Sequence, residues 1–200
     1  MAKLTSRELQ AIQTKKNIVR VCGELLQKKS WSEIKIADIC AGADISVGAF
    51  YYHFKNKEAI LNTIDERMDH YFYDHVLQDC LQMSPQEGLC AYMCSQTQYY
   101  VPVGSEMFKN LYKAQLDNEH YTEELQTRYF IKGIRALLEN AVQQHCLPQD
   151  SDIEVLVHEI LAVNYGIYYF WCLMGDQIDI DAYAKKIHRQ YLSSLFAETL

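Results

Sequence analysis

The 200-residue sequence has little proline or glycine and no apolar run long enough to cross a membrane. It contains only 3 Pro and 8 Gly, no low-complexity tract and no sustained alternation of apolar and polar residues. The most apolar window, residues 160–174, is interrupted by Asn164 and Gly166 and is shorter than the roughly 20 residues that a bilayer requires. The first residues also lack the apolar segment of a secretory signal. These absences favour a cytoplasmic protein without a membrane segment.

The sequence also lacks the motifs of the common enzyme classes. There is no glycine-rich phosphate loop, no nucleophile elbow and no His/Cys spacing typical of a zinc site. We therefore expect no catalytic residue, no cofactor and no metal.

Seven cysteines are present, mostly within apolar helical patterns, and they form no CxxC motif. Their odd number favours reduced thiols. We expect these thiols to be buried and inert. The alternative is oxidation sensing by Cys90 and Cys94, alone or with Cys80, since Cys90 and Cys94 share a helix face at a spacing of four.

What remains is a strong helical periodicity in a chain that is 49% apolar. It predicts an all-α fold of about nine helices: 7–28, 36–42, 47–53, 57–80, 85–100, 105–115, 119–146, 153–174 and 180–197.

Charge divides the chain into two unlike parts. Residues 1–60 hold ten Lys/Arg and six Asp/Glu, whereas residues 61–200 hold nine Lys/Arg and twenty Asp/Glu. A basic head on an acidic body is typical of a protein that binds a polyanion through its head alone.

Residues 36–58, IADICAGADISVGAFYYHFKNKE, predict two short helices joined by a tight turn. Such a helix-turn-helix places its second helix in the major groove of DNA. Ser46 is a good N-cap for that helix. The second helix and the residues after it carry groups suited to phosphate contacts: Tyr51, Tyr52, His53, Lys55 and Lys57.

Several residues of this segment resemble the TetR family of bacterial transcriptional regulators over about residues 18–64, namely Ile39, Ala43, Ser46, Gly48, Tyr51, Tyr52, His53, Phe54, Lys57 and Glu58. The resemblance implies a homodimer. It also implies a three-helix DNA-binding head, residues 1–58, and a helical effector-binding and dimerisation body, residues 59–200.

The resemblance also implies roles for the residues of the head. Base edges of double-stranded DNA would be contacted by Val47, Gly48, Ala49 and Tyr51, and phosphates by Ser46, Tyr52, His53 and Lys57. Lys35 stands where the family usually has a capping Thr and cannot accept a hydrogen bond from the helix; it could contact phosphate instead, or Ser32 could cap the helix from an earlier start. Asp44 stands where the family has a glycine in the turn, and Asp tolerates the left-handed conformation better than most residues.

Thirteen of the fifteen tyrosines lie in the body. They predict a pocket with aromatic walls for a flat or cationic effector, although each tyrosine could equally be a core residue with its hydroxyl at the surface. The candidate pocket residues are Tyr92, Tyr99, Tyr100, Tyr112, Tyr129, Asn164 and Tyr168.

The last two predicted helices carry wide apolar stripes. Such stripes are either intramolecular core or the seam of a homodimer, and we favour the seam. Its candidate residues are Leu156, Ile160, Ile167, Trp171, Tyr183, Ile187, Tyr191 and Leu195.

Together these features predict a dimeric regulator, typically a repressor, that a small molecule releases from a pseudo-palindromic operator. The alternative is a co-regulator whose body binds a protein partner.

Overall fold

The computed structural model describes residues 5–101, 104–117 and 125–197, and within them the chain forms ten α-helices and no strand. The helices are α1 (Ser6–Leu26), α2 (Ile36–Ala43), α3 (Val47–His53), α4 (Glu58–Tyr71), α5 (Leu77–Leu81), α6 (Pro85–Tyr100), α7 (Ser105–Leu116), α8 (Tyr129–Gln143), α9 (Ile153–Met174) and α10 (Ile180–Ala197). The predicted all-α class is confirmed, and most predicted helix bounds lie within two residues of the observed ones.

Side-chain caps explain where several helices begin. Thr5 and Glu8 form a capping box, in which the Thr5 hydroxyl accepts from the Glu8 amide and the Glu8 carboxylate accepts from the Thr5 amide. The Asn56 carboxamide oxygen accepts from the Ala59 amide at the start of α4. Asp152 accepts from the amides of the first turn of α9. These caps satisfy amides that have no partner inside their helix.

The head consists of α1, α2 and α3 around a small core. Ile18, Cys22, Ile39 and Phe50 are buried there. Asp44 adopts the left-handed conformation (φ 54°, ψ 51°) that ends α2, as its place in the turn predicts. The turn at Asp44 sets the direction of α3, which packs on the core with one face and exposes the other.

The predicted helix 57–80 is continuous but contains a wider turn. A π-helical segment, Phe72–Val76, lies between α4 and α5, and the Leu77 amide donates to the Phe72 carbonyl five residues earlier. In a regular α-helix of 3.6 residues per turn, two residues five positions apart point in different directions. The wider π-helical turn brings Phe72 and Leu77 onto the same side, and both are buried in the core.

The predicted helix 119–146 is wrong as a single uninterrupted element. Residues 118–124 lie outside the described part; residues 125–127 form a helical turn, and Arg128 is extended (φ −62°, ψ 134°) before α8 begins. The extended backbone directs the Arg128 side chain toward α4, where it binds two carboxylates.

The body packs around α6, α8 and α9. α6 contacts α8 and α10, and α9 contacts α7, α8 and α10. α4 packs against α1 of the head and also against α7 and α8 of the body, so that it connects the two parts mechanically. None of the helices in the described part combines the length and the apolar character that crossing a bilayer requires.

Candidate nucleic-acid interface and ligand site

The outer face of α3 is an exposed surface of aromatic and small apolar side chains. Tyr52 is 73% exposed, Tyr51 53% and Val47 49%, whereas Phe50 on the opposite face is buried in the head core. The Ser46 hydroxyl accepts from the Ala49 amide at 3.1 Å and caps the helix, as predicted. α3 is therefore held to the head by one side and leaves the other free for a macromolecular partner.

Gly48 is exposed in the middle of this face, and the fold itself has no need of a glycine there. A Cβ atom at this position would meet only the Ser46 hydroxyl, at 3.8 Å. By contrast, a Cβ on Gly42 of α2 would lie 2.6 Å from Cγ1 of Val21, where α1 and α2 pack closely. The space over Gly48 is open to solvent and suits the close approach of a groove.

Lys57 is held within the head. Its ammonium group donates to the carbonyls of Trp31 (2.7 Å) and Ile34 (2.9 Å) and lies 4.4 Å from the centre of the Trp31 ring. The contact with phosphate stays a prediction, but Lys57 also closes the loop between α1 and α2.

Lys35 is exposed and makes no side-chain cap; instead its amide donates to the Asp38 carboxylate at 3.1 Å. His53 is half-buried and packs edge-on against Tyr52. Phosphate contacts by Lys35, at the start of α2, and by His53, at the end of α3, stay predictions.

Four of the seven predicted pocket residues, Tyr100, Tyr112, Asn164 and Tyr168, line one small cavity in the described part of the chain, and the other three do not. Tyr92, Tyr100 and Tyr168 are buried core residues, and the Tyr168 ring stacks on Phe108 with 4.7 Å between ring centres. The cavity that remains near them has a volume of about 30 Å³, the size of one water molecule. Large aromatic rings at consecutive turns fill the space between helices instead of lining it.

Tyr99 and Tyr129 lie at other clefts, and Tyr112 borders a second cleft besides the small cavity. Tyr99 borders a cleft of about 620 Å³ between α1 and α4. Tyr112 borders an apolar cleft of about 710 Å³ between α7 and α9. Tyr129 lies over His70, 3.8 Å between ring centres, at the edge of a cleft of about 220 Å³.

A buried ionic cluster, absent from the sequence prediction, lies beside that last cleft. Asp65 and Asp69 of α4 are only 5% and 2% exposed, and the Arg128 guanidinium contacts both carboxylates, at 2.7 Å and 2.6 Å. Tyr100 donates its hydroxyl proton to Asp65 at 2.5 Å, and the Gln115 amide donates to the same carboxylate at 3.3 Å. The spacing of four between the aspartates was the only signal of this cluster in the sequence.

Burial raises the pKa of Asp69 to about 6, and the neighbouring Asp65 adds to the rise, while Arg128 opposes it. Burial likewise raises the pKa of the Tyr100 hydroxyl, and the Asp65 carboxylate that it contacts adds to the effect. Such perturbed groups beside a cleft are typical of a functional site.

The predicted dimer seam needs correction at three positions. Ile160, Ile167 and Trp171 are buried in the protomer's own core and cannot contact a partner. The remaining predicted residues are half-buried: Leu156, Tyr183, Ile187, Tyr191 and Leu195. The apolar side chains that α9 does expose lie on its other face: Val155, Tyr169, Phe170 and Leu173.

The seven cysteines are free, but Cys90, Cys94 and Cys146 are half-buried, contrary to the expectation that the thiols are buried. A hydrogen bond from Cys94 lowers the pKa of Cys90 to about 7, and Arg189 and Lys185 add to this effect. Both thiols line a cleft of about 930 Å³ between α6 and α10.

Comparison with known proteins agrees with this geometry. The family model described as "Bacterial regulatory proteins, tetR family" matches residues 18–64. The probable HTH-type transcriptional regulator ArpR of Pseudomonas putida is 24% identical over 192 residues, which cover 90% of this chain and 89% of that protein. The probable acrEF/envCD operon repressor of Escherichia coli K12 is 24% identical over 182 residues, covering 86% of this chain and 81% of the repressor.

Solved structures share the fold over nearly the whole chain. A TetR-family transcriptional regulator from Pectobacterium atrosepticum has a TM-score of 0.72 at 14% identity, covering 98% of both chains. Thermus thermophilus FadR, solved in complex with lauroyl-CoA, has a TM-score of 0.72 at 16% identity and covers 93% of this chain and 94% of its own.

Proposed function

Because the chain belongs to the tetR family of bacterial regulatory proteins, we propose that α3 is its operator-binding helix and residues 1–58 its DNA-binding domain. The chain is a transcriptional regulator and not an enzyme, like the relatives named as transcriptional regulator and operon repressor. Repression of transcription by occupancy of the operator is the mode that the named repressor suggests.

The observation that carries this proposal is the free face of α3. Val47, Ala49 and Tyr51 offer methyl groups and an aromatic edge, which suit thymine methyls and base edges. Ser46, Tyr52 and His53 border them and offer hydrogen-bonding groups to the phosphates on either side. The excess of basic residues in residues 1–60 supplies the attraction to the DNA backbone.

The test is selection of genomic DNA fragments with the purified full chain, followed by affinity measurements on the enriched sequence over a series of salt concentrations. We expect one pseudo-palindromic sequence and an affinity that falls steeply with salt. Tyr52→Ala should weaken binding on all sequences, whereas Lys113→Ala, an exposed lysine of α7, should not. Absence of enrichment over bulk DNA would overturn the proposal.

Dimerisation through α9 and α10 would bring two heads to two half-sites. The exposed apolar residues Tyr169 and Leu173 on α9 support this, because monomeric proteins seldom expose such neighbouring side chains. Tyr169→Glu with Leu173→Glu should give a monomer in sedimentation experiments. Leu9→Glu, at an equally exposed apolar position of α1, is the matched control, and a dimer in both variants would exclude this seam.

We further propose that a small molecule bound to the body releases the operator through α4, which contacts both parts. The screen for loss of DNA binding includes organic cations and an acyl-CoA, since the related Thermus regulator is named in complex with lauroyl-CoA. The filled aromatic core supports the second candidate, a co-regulator whose body binds a protein. A body that binds none of these molecules while retaining operator binding would favour that candidate.

A further inference from the structure

The Arg128 side chain separates two cavities in the body. The outer cleft, about 220 Å³, and the inner cavity, about 30 Å³, have Asp65 and Arg128 as shared lining residues. The guanidinium therefore lies at the passage between them, in contact with both buried aspartates. Removal of this one side chain would join the cavities into a pocket that reaches from solvent to the aromatic core.

The cluster is short of positive charge among the described residues. Two buried carboxylates, Asp65 and Asp69, face the single guanidinium of Arg128, and the outer cleft beside them is lined also by Glu66 and His70. Buried carboxylates need cations or hydrogen-bond donors because desolvation otherwise destabilises their charged form. A site with this imbalance attracts a cation and disfavours an anion.

The inner cavity contains polar atoms that lack a partner within the described part of the chain. The carbonyl oxygen of the Asn164 carboxamide and the Tyr168 hydroxyl are both without a hydrogen bond there, although these residues are only 6% and 1% exposed. Asn164 uses its amide group to donate to Gln96 at 2.9 Å, which fixes the orientation of its oxygen. Unpaired buried polar atoms are costly, and a ligand or water that reaches them is stabilised.

Arg128 lies at a helix boundary and near the surface. It is the extended residue between a helical turn and α8, so its movement breaks no interior turn of a long helix. Its side chain is 13% exposed at the mouth of the cleft, whereas the carboxylates beneath it are more deeply buried. Arg128 thus lies nearer to solvent than the two carboxylates that it contacts.

We propose that Asp65 and Asp69 form the binding site of an organic cation, an amidinium, guanidinium or amine on an aromatic body, which takes the place of the Arg128 guanidinium. The outer cleft, about 220 Å³ in volume and lined also by Tyr129, receives the apolar part of the ligand. Both aspartates lie on α4, so the exchange acts on the helix that reaches the head. This regulatory meaning rests on the proposed function, whereas the binding site itself does not.

The probe is benzamidine, whose planar amidinium reproduces the paired donors of a guanidinium, and the neutral benzamide is its isosteric control. Binding to the full chain is measured by calorimetry without DNA, on the wild type and on Arg128→Ala. Arg128→Gln keeps most of the side-chain volume and serves if the alanine variant does not fold. Arg135→Ala removes the exposed ion pair with Glu154 on α8 and α9 and is the matched control.

We expect benzamidine to bind Arg128→Ala, or Arg128→Gln, at least tenfold more tightly than it binds the wild type, because the competing guanidinium is gone. Arg135→Ala should bind like the wild type. Adding Asp69→Asn to the Arg128 variant should remove the gain. Equal affinity in the wild type and the Arg128 variants, equal binding of benzamide, or no effect of Asp69→Asn would overturn the proposal.

The DNA experiments separate this proposal from the proposed function. If no operator is enriched, the calorimetry still decides whether the cation site exists. If benzamidine binds as expected but operator affinity is unchanged at saturation, the site is retained and its link to DNA release is refuted.

Discussion

The head and the body place their polar groups on opposite sides of their helices. In the head, Tyr51 and Tyr52 of α3 face solvent, and the described side chains that are buried in the core are apolar, Phe50 among them. In the body, Asp65 and Asp69 point inward and find their partners inside. The head is thus arranged for a large external partner, and the body for a small one that enters from a cleft. Four experiments test this contrast.

The largest expected effect is a loss of stability at Gly88, where the body has no space for a side chain. A Cβ on Gly88 of α6 would lie 2.2 Å from the carbonyl oxygen of Cys80, a backbone atom that cannot rotate away. Gly88→Ala would force α5 from α6 and should reduce the free energy of unfolding by about 3 kcal/mol or more. Urea denaturation measures this loss of unfolding free energy.

Gly23→Ala is the matched control in the head, because a Cβ there meets nothing within 4 Å. It should raise stability by about 0.5–1 kcal/mol through the higher helix propensity of alanine. Equal effects at the two glycines would contradict the idea that the body is the tighter part.

The second effect is a pH dependence that originates in the body. Burial lowers the pKa of His188 on α10 to about 4, and its Nε2 has no hydrogen-bond partner among the described residues. Because the unfolded histidine takes up a proton near pH 6.5 and the folded one only near pH 4, stability is lost as the pH falls through this window. The loss should reach about 3 kcal/mol.

His188→Phe should remove this part of the pH dependence, measured as the difference in unfolding free energy between pH 7 and pH 4. Asp69 has a raised pKa of about 6 and acts in the opposite direction in this range, so the wild type and variant must be compared directly. Identical pH profiles would show that His188 does not stay neutral in the folded state.

The third effect concerns Lys57, where the two parts meet. Lys57→Met keeps the aliphatic stem and removes two hydrogen bonds to the carbonyls of Trp31 and Ile34. We expect a loss of about 2 kcal/mol in unfolding free energy, because these acceptors bond to a charged group. Lys55→Met, at an exposed neighbouring position, should leave stability unchanged. Equal stability of both variants would show that these hydrogen bonds do not stabilise the head, and phosphate binding would then be the main role of Lys57.

The sequence predicted the head better than the body for a physical reason. Caps and turns depend on neighbours in the chain, and Ser46, Asp44 and Asn56 act as their residue types predict. The buried cluster joins residues about 60 positions apart, Asp69 and Arg128, and no local pattern announces such a pair. Periodicity also identifies an apolar face without saying what covers it, and for that reason Trp171 was assigned to a dimer seam although it lies in the core.

The smallest expected effect, and the sharpest test of the head, is Gly48→Ala. A Cβ at this position meets only the Ser46 hydroxyl, at 3.8 Å, so the free energy of unfolding should stay equal or rise slightly. If α3 approaches a groove closely at this point, operator affinity should fall about tenfold, or about 1.4 kcal/mol. Anisotropy with the selected operator measures the affinity, and urea denaturation the stability. A loss of affinity without a loss of stability would mean that DNA binding requires the glycine although the fold does not. Unchanged affinity would mean that the DNA backbone lies farther from α3 than proposed.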